Sequence, residues 1–93
     1  MTSGLILQAC RRNVDAGPIR VGYTASRRVG GAVQRNRARR RLRAAVAAVM
    51  PQHARDGHDY VVIARTATLR RPFGALVQDL EKALRRLGMW RET

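Results

Sequence analysis

The sequence predicts an α+β fold, a small β-sheet packed by helices in the order β-β-α-β-α. Three observations carry this. Two short apolar runs open the chain, Ala32 to Met50 is free of Gly and Pro, and a Val-rich run separates that stretch from a second one of helical periodicity.

Leu5-Ile6-Leu7-Gln8-Ala9-Cys10 reads as the first strand, followed by Arg11-Arg12-Asn13 and the turn-forming Asp15-Ala16-Gly17-Pro18. Ile19 to Ser26 then alternates. Ile19, Val21, Tyr23 and Ala25 share one face and Arg20, Gly22, Thr24 and Ser26 the other, which predicts a half-buried second strand, antiparallel to the first. Arg27-Arg28-Val29-Gly30-Gly31 ends the alternation.

The helix predicted from Ala32 stops at Pro51. Ala38, Leu42, Ala45, Val46 and Val49 form its apolar stripe; Asn36, Arg39, Arg40 and Arg43 gather on one flank, and Arg37 and Arg41 occupy the other. Gln52 to His58 reads as a polar loop. Asp59-Tyr60-Val61-Val62-Ile63-Ala64-Arg65 is nearly continuous in apolar residues and predicts a central strand buried on both faces. After a loop through Arg70-Arg71, the spacing of Phe73, Leu76, Val77, Leu80, Ala83, Leu84 and Leu87, with Pro72 before and Gly88 after, predicts the second helix.

The length fits one domain over 1–93 with a single core. Nineteen basic residues, eighteen of them Arg, stand against six acids, a net charge of +13. Self-repulsion of that size points to a polyanionic partner, and nucleic acid is the commonest. The single cysteine, Cys10, leaves no intrachain disulfide partner and no Cys-based zinc site; it fits a reducing cytoplasm and reads as a small buried hydrophobe. No apolar run approaches the length of a membrane span.

An autonomous nuclease needs paired carboxylates or a His-based acid and base, and the six acids are scattered. His53 and His58, beside Asp56 and Asp59, have loop spacing that suits solvated side chains better than a metal site. No catalytic residue and no protein metal site is therefore expected. Asp79 and Glu81 are assigned to the dipole and solubility of the second helix, and Met89 and Trp90 to its end. A helix-turn-helix reading fails because a strand separates the helices.

Arg35-Asn36-Arg37-Ala38-Arg39-Arg40-Arg41-Leu42-Arg43 is the densest constellation, with no acid between Asp15 and Asp56. Arg35, Arg39 and Arg43, at i, i+4 and i+8, suit phosphates along an RNA backbone, and Asn36 can add a hydrogen bond to sugar or base. The stretch from Val21 to Arg43, VGYTASRRVGGAVQRNRARRRLR, resembles the signature of the bacterial ribonuclease P protein subunit. The strand at Asp59 to Arg65 and the terminal helix match as well, so the resemblance covers about Leu5 to Leu87.

The resemblance implies a small mixed sheet with a left-handed βαβ crossover. It implies a subunit that assists a catalytic RNA in removing the 5′ leader from precursor tRNA, with hydrolysis carried by the RNA and its Mg²⁺. Arg35, Asn36, Arg37, Arg39, Arg40 and Arg43 would dock the ribonuclease P RNA. Ser26, Arg27, Arg28 and Arg65 would line the leader path, with Tyr23 a candidate for stacking. The family's amino-terminal basic segment and short helix have no counterpart before the first strand of this sequence. Another class, a structural RNA-binding module such as a small ribosomal protein or assembly factor, would share the charge but not stimulate cleavage.

Overall fold

The computed structural model describes residues 3–11, 19–54 and 57–91. Strands β1 (Leu5–Arg11) and β2 (Arg20–Thr24) precede helix α1 (Ala32–His53). Strand β3 (His58–Ala64), a 3-10 turn at Thr66–Leu69 and helix α2 (Phe73–Arg86) complete the order. The predicted turn at Asp15 to Pro18 lies outside the described residues.

The three strands form one sheet in the order β1-β3-β2. β3 is central, as its apolar run predicted. β1 runs antiparallel to β3 in a register that sets Leu5 opposite Ala64 and Leu7 opposite Val62. β2 pairs with β3 in parallel, Val21 opposite Tyr60 and Tyr23 opposite Val62. The second strand thus opposes the first in direction but does not neighbour it. A parallel pair needs a long crossover, and α1 supplies it between β2 and β3.

The pleat divides the sheet cleanly. Leu5, Leu7, Tyr60, Val62 and Ala64 are buried on the helix side. Ile6, Gln8 and Cys10 of β1, Val61 and Ile63 of β3, and Gly22 and Thr24 of β2 share the opposite face, which no helix covers among the described residues. β3 is consequently fully buried on one face only, not on both. Cys10 is exposed at the end of β1 rather than buried.

α1 packs on β2 and β3, α2 packs on β1, and the helices meet each other. The five residues of the expected α1 stripe are all buried and are joined by Met50. α1 runs through Pro51 to His53, beyond the expected stop, and β3 begins at His58, so the polar loop is shorter than the sequence suggested. Pro51 is tolerated in the last turn because its missing N–H removes a single hydrogen bond, at the exposed Ala47. The segment after α2 then seals α1. The Arg91 amide donates to the His53 carbonyl at 2.5 Å, and the Trp90 ring stacks on His53 at 4.1 Å with Arg85 over it. Met89 and Trp90 pack against the core.

α2 buries Leu76, Leu80 and Leu84, and with them Asp79. Asp79 does more than serve the helix dipole: it accepts from Arg71 Nε at 2.5 Å and from the Gly4 amide at 2.8 Å, tying β1 to α2. Burial alone would raise the Asp79 carboxyl, but the Arg71 and Gly4 hydrogen bonds hold it below the usual carboxylate range. A Cβ at position 4 would lie 2.6 Å from Leu76 Cδ2, so a larger residue there must displace the buried Leu76 side chain.

Candidate nucleic-acid interface

α1 starts where Gly30 takes a φ of 146°, a value that favours glycine, and Gly31 caps the helix without a side-chain hydrogen bond. Its first turn contains no acid, so the positive end of the helix dipole and the arginines add rather than cancel. Such a terminus attracts anions.

Helical spacing brings Asn36, Arg39, Arg40 and Arg43 to one groove between α1 and β2, together with Val21, Gly22, Tyr23 and Val33. Arg39 Nη1 donates to Asn36 Oδ1 at 3.2 Å. The Arg43 guanidinium lies over the Tyr23 ring, 5.3 Å from its centroid. Burial raises the Tyr23 hydroxyl above its ordinary pKa and the Arg43 charge opposes that rise. Val33 is 76% exposed, an apolar side chain on a basic groove. Arg35 sits one turn before Arg39, and its Nε is buried without a hydrogen-bond partner. Arg37, on the other flank of α1, is exposed and does not line this groove.

No arginine of α1 pairs with a carboxylate among the described residues; the ion pairs there are Arg20–Asp59 and Arg71–Asp79. Arg41 differs from its neighbours. It turns toward the fold, donating from Nε to the Thr68 carbonyl at 2.9 Å and from Nη2 to the Arg71 carbonyl, and so braces the 3-10 turn.

A second basic site forms where β2, β3 and β1 come together. Ser26, Arg28 and Arg65 line it with Ile6 and Val29. Ser26 Oγ accepts the Arg28 amide at 3.3 Å and its carbonyl accepts the Val29 amide at 3.0 Å, which fixes the turn after β2. The Arg65 amide donates to Thr68 Oγ1 at 2.9 Å, and that hydroxyl donates to the Gly4 carbonyl. The Thr68 amide in turn donates to the Arg65 carbonyl at 2.9 Å, so the backbone beneath the Arg65 side chain is anchored at two points. Arg27 is exposed at the turn but does not line this site.

Residues 1–88 match the family model described as Ribonuclease P. The chain belongs to the ribonuclease P protein family. It is 55% identical over 93 residues to the ribonuclease P protein component of Paramagnetospirillum magneticum, covering 97% of this chain and 70% of that protein. Against the component from Caulobacter vibrioides it is 47% identical over 85 residues, covering 90% of this chain and 57% of the relative. The fold is similar to that of the Staphylococcus aureus RNase P protein, with a TM-score of 0.75, 23% identity, and 98% of this chain and 81% of that one covered. The RNase P protein from Thermotoga maritima gives a TM-score of 0.74 at 23% identity over 92% of this chain and 79% of that one.

Membership of the ribonuclease P family places the chain among RNA-binding proteins of tRNA-processing ribonucleoproteins. Within that frame, Tyr23 stands on the helix side of the sheet, with the α1 arginines and not with Ser26, Arg28 and Arg65. His53 and His58 do not converge: one stacks on Trp90 and the other opens β3 beside Tyr60, while Asp56 lies outside the described residues. Among the described residues no three His, Cys, Asp or Glu side chains gather in a way that could hold a metal ion, and no helix is long and apolar enough to cross a membrane.

Proposed function

We propose that the chain is the RNA-binding subunit of a ribonuclease P holoenzyme, assisting a catalytic RNA in removing the 5′ leader from precursor tRNA. The observation that carries this reading is the pair of separate basic sites on a chain of this family. One is the α1 groove, whose arginines lack carboxylate partners; the other is the Ser26, Arg28 and Arg65 site at the edge of the uncovered sheet face. The first suits phosphates of the folded catalytic RNA, reached by Arg35, Arg39, Arg40 and Arg43 with Asn36, and by Arg37 from the other flank of the helix. The second suits a single-stranded leader, where Arg28 and Arg65 meet phosphates, Ser26 adds a hydrogen bond, and Arg27 approaches from the turn.

The protein supplies binding and orientation. Hydrolysis is assigned to the RNA, and Mg²⁺ with it, as the resemblance to the family implies. Holding both the RNA and the leader raises the share of substrate bound in a productive geometry.

The test is precursor-tRNA cleavage by the cognate ribonuclease P RNA at low Mg²⁺, with and without the protein, beside the protein alone. A large stimulation with an inert protein control is the expected result. RNA binding without stimulation would instead support a structural RNA-binding module.

A further inference from the structure

A third basic surface lies between β1 and α2. Arg65, Lys82 and Arg86 face a groove whose apolar side chains include Ile6, 44% exposed, and Leu87, 41% exposed. Its carboxylate, Asp79, is ion-paired with Arg71 and accepts the Gly4 amide; Lys82 acts on it only at longer range, and Arg65, Lys82 and Arg86 form no ion pair among the described residues. Ile6 and Arg65 also line the site of Ser26 and Arg28, so the two depressions are continuous.

We propose that this groove is a second subsite for single-stranded RNA, taking the nucleotides that run on beyond the Ser26, Arg28 and Arg65 site. The inference rests on the proposed function for the identity of that strand. Lys82 and Arg86 lie one helical turn apart, about 6 Å along the axis, which matches neighbouring phosphates on an extended strand. Exposed apolar side chains in the same groove as the cations favour a strand with unpaired bases over a duplex, whose bases are hidden. Continuity with the leader site favours RNA over an acidic protein.

The experiment compares holoenzyme affinity for precursor tRNAs with leaders of about 4 and about 12 nucleotides, short and long on the scale of single-strand sites. The variant is Lys82→Gln with Arg86→Gln, both at exposed positions and both retaining a good helix former. Arg11→Gln with Arg70→Gln, exposed and outside the groove, controls for charge. The expected result is roughly tenfold weaker binding of the long leader with a salt slope shallower by about 1.4, two single-strand phosphate contacts, while the short leader changes by less than about twofold. Equal loss at both lengths, no loss, or the same loss in the control pair overturns the proposal. So does a polyglutamate peptide that binds the groove more tightly than RNA.

The parent protein separates this proposal from the reading beneath it. If it holds precursor and mature tRNA equally, the proposed function fails, and the groove is then judged with free single-stranded oligonucleotides of the same lengths. There the same length-dependent loss supports the subsite and its absence overturns it.

Discussion

Arg43 and Tyr23 form the joint between the basic flank of α1 and the edge of the sheet, guanidinium over ring at 5.3 Å. The contact holds an otherwise mobile cation in the groove that also contains Asn36, Arg39 and Arg40. A cation–π contact of this kind contributes about 0.5–1 kcal/mol at a partly exposed site. Tyr23→Ala should therefore weaken catalytic-RNA binding about two- to fivefold, and Tyr23→Phe should restore it, as read by RNA titration.

The α1 groove makes a quantitative claim about salt. With Arg35, Arg39, Arg40 and Arg43 each on a phosphate, affinity for the RNA should fall roughly 150-fold between about 50 and about 200 mM salt. Arg40→Gln should lower the slope by about one. A slope that does not change removes Arg40 from the interface.

Arg41 is expected to behave in the opposite way. Its bonds to the Thr68 and Arg71 carbonyls are internal, so Arg41→Gln should cost about 2 kcal/mol of folding stability by denaturant titration. RNA affinity of the folded fraction should stay close to that of the parent.

Asp79 gives the acid limb of the stability curve. Its carboxyl titrates lower in the folded protein than in the unfolded chain, so its contribution is complete above the unfolded value of about 3.9. It is lost as the pH falls below that value through the folded one. Thermal unfolding from pH 6 down to pH 2 should show a steeper loss for the parent than for Asp79→Asn. At neutral pH, Asp79→Ala should cost about 2 kcal/mol by leaving the buried Gly4 amide unpaired.

Local periodicity made the central strand, the α1 stripe, the middle of the α2 stripe and the alternation of β2 legible in the sequence, but Phe73 and Leu87, at the two ends of the expected α2 stripe, are exposed because no element packs over the helix ends there. Strand adjacency was not, because the parallel pairing of β2 with β3 depends on how the 22-residue α1 crosses the sheet. The α1 arginines were visible as a cluster, but Arg41 was not distinguishable by type from the rest. The signal was its position, i+3 from the buried Ala38 and i−4 from the buried Ala45. Asp79 carried a similar signal, lying i+3 from Leu76 on the apolar stripe of α2. The meeting of Ser26, Arg28 and Arg65 required the tertiary fold, since Arg65 reaches Ser26 only through the β2–β3 pairing and the Thr68 anchor.

The division of labour between the two basic sites is tested most directly by holoenzyme affinity for precursor and mature tRNA. The comparison sets the parent against Arg28→Gln with Arg65→Gln, at RNA concentrations that keep the holoenzyme assembled. At least tenfold weaker precursor binding in the variant, with mature tRNA unchanged, is the expected result. An equal loss for both substrates, or none for either, would contradict it.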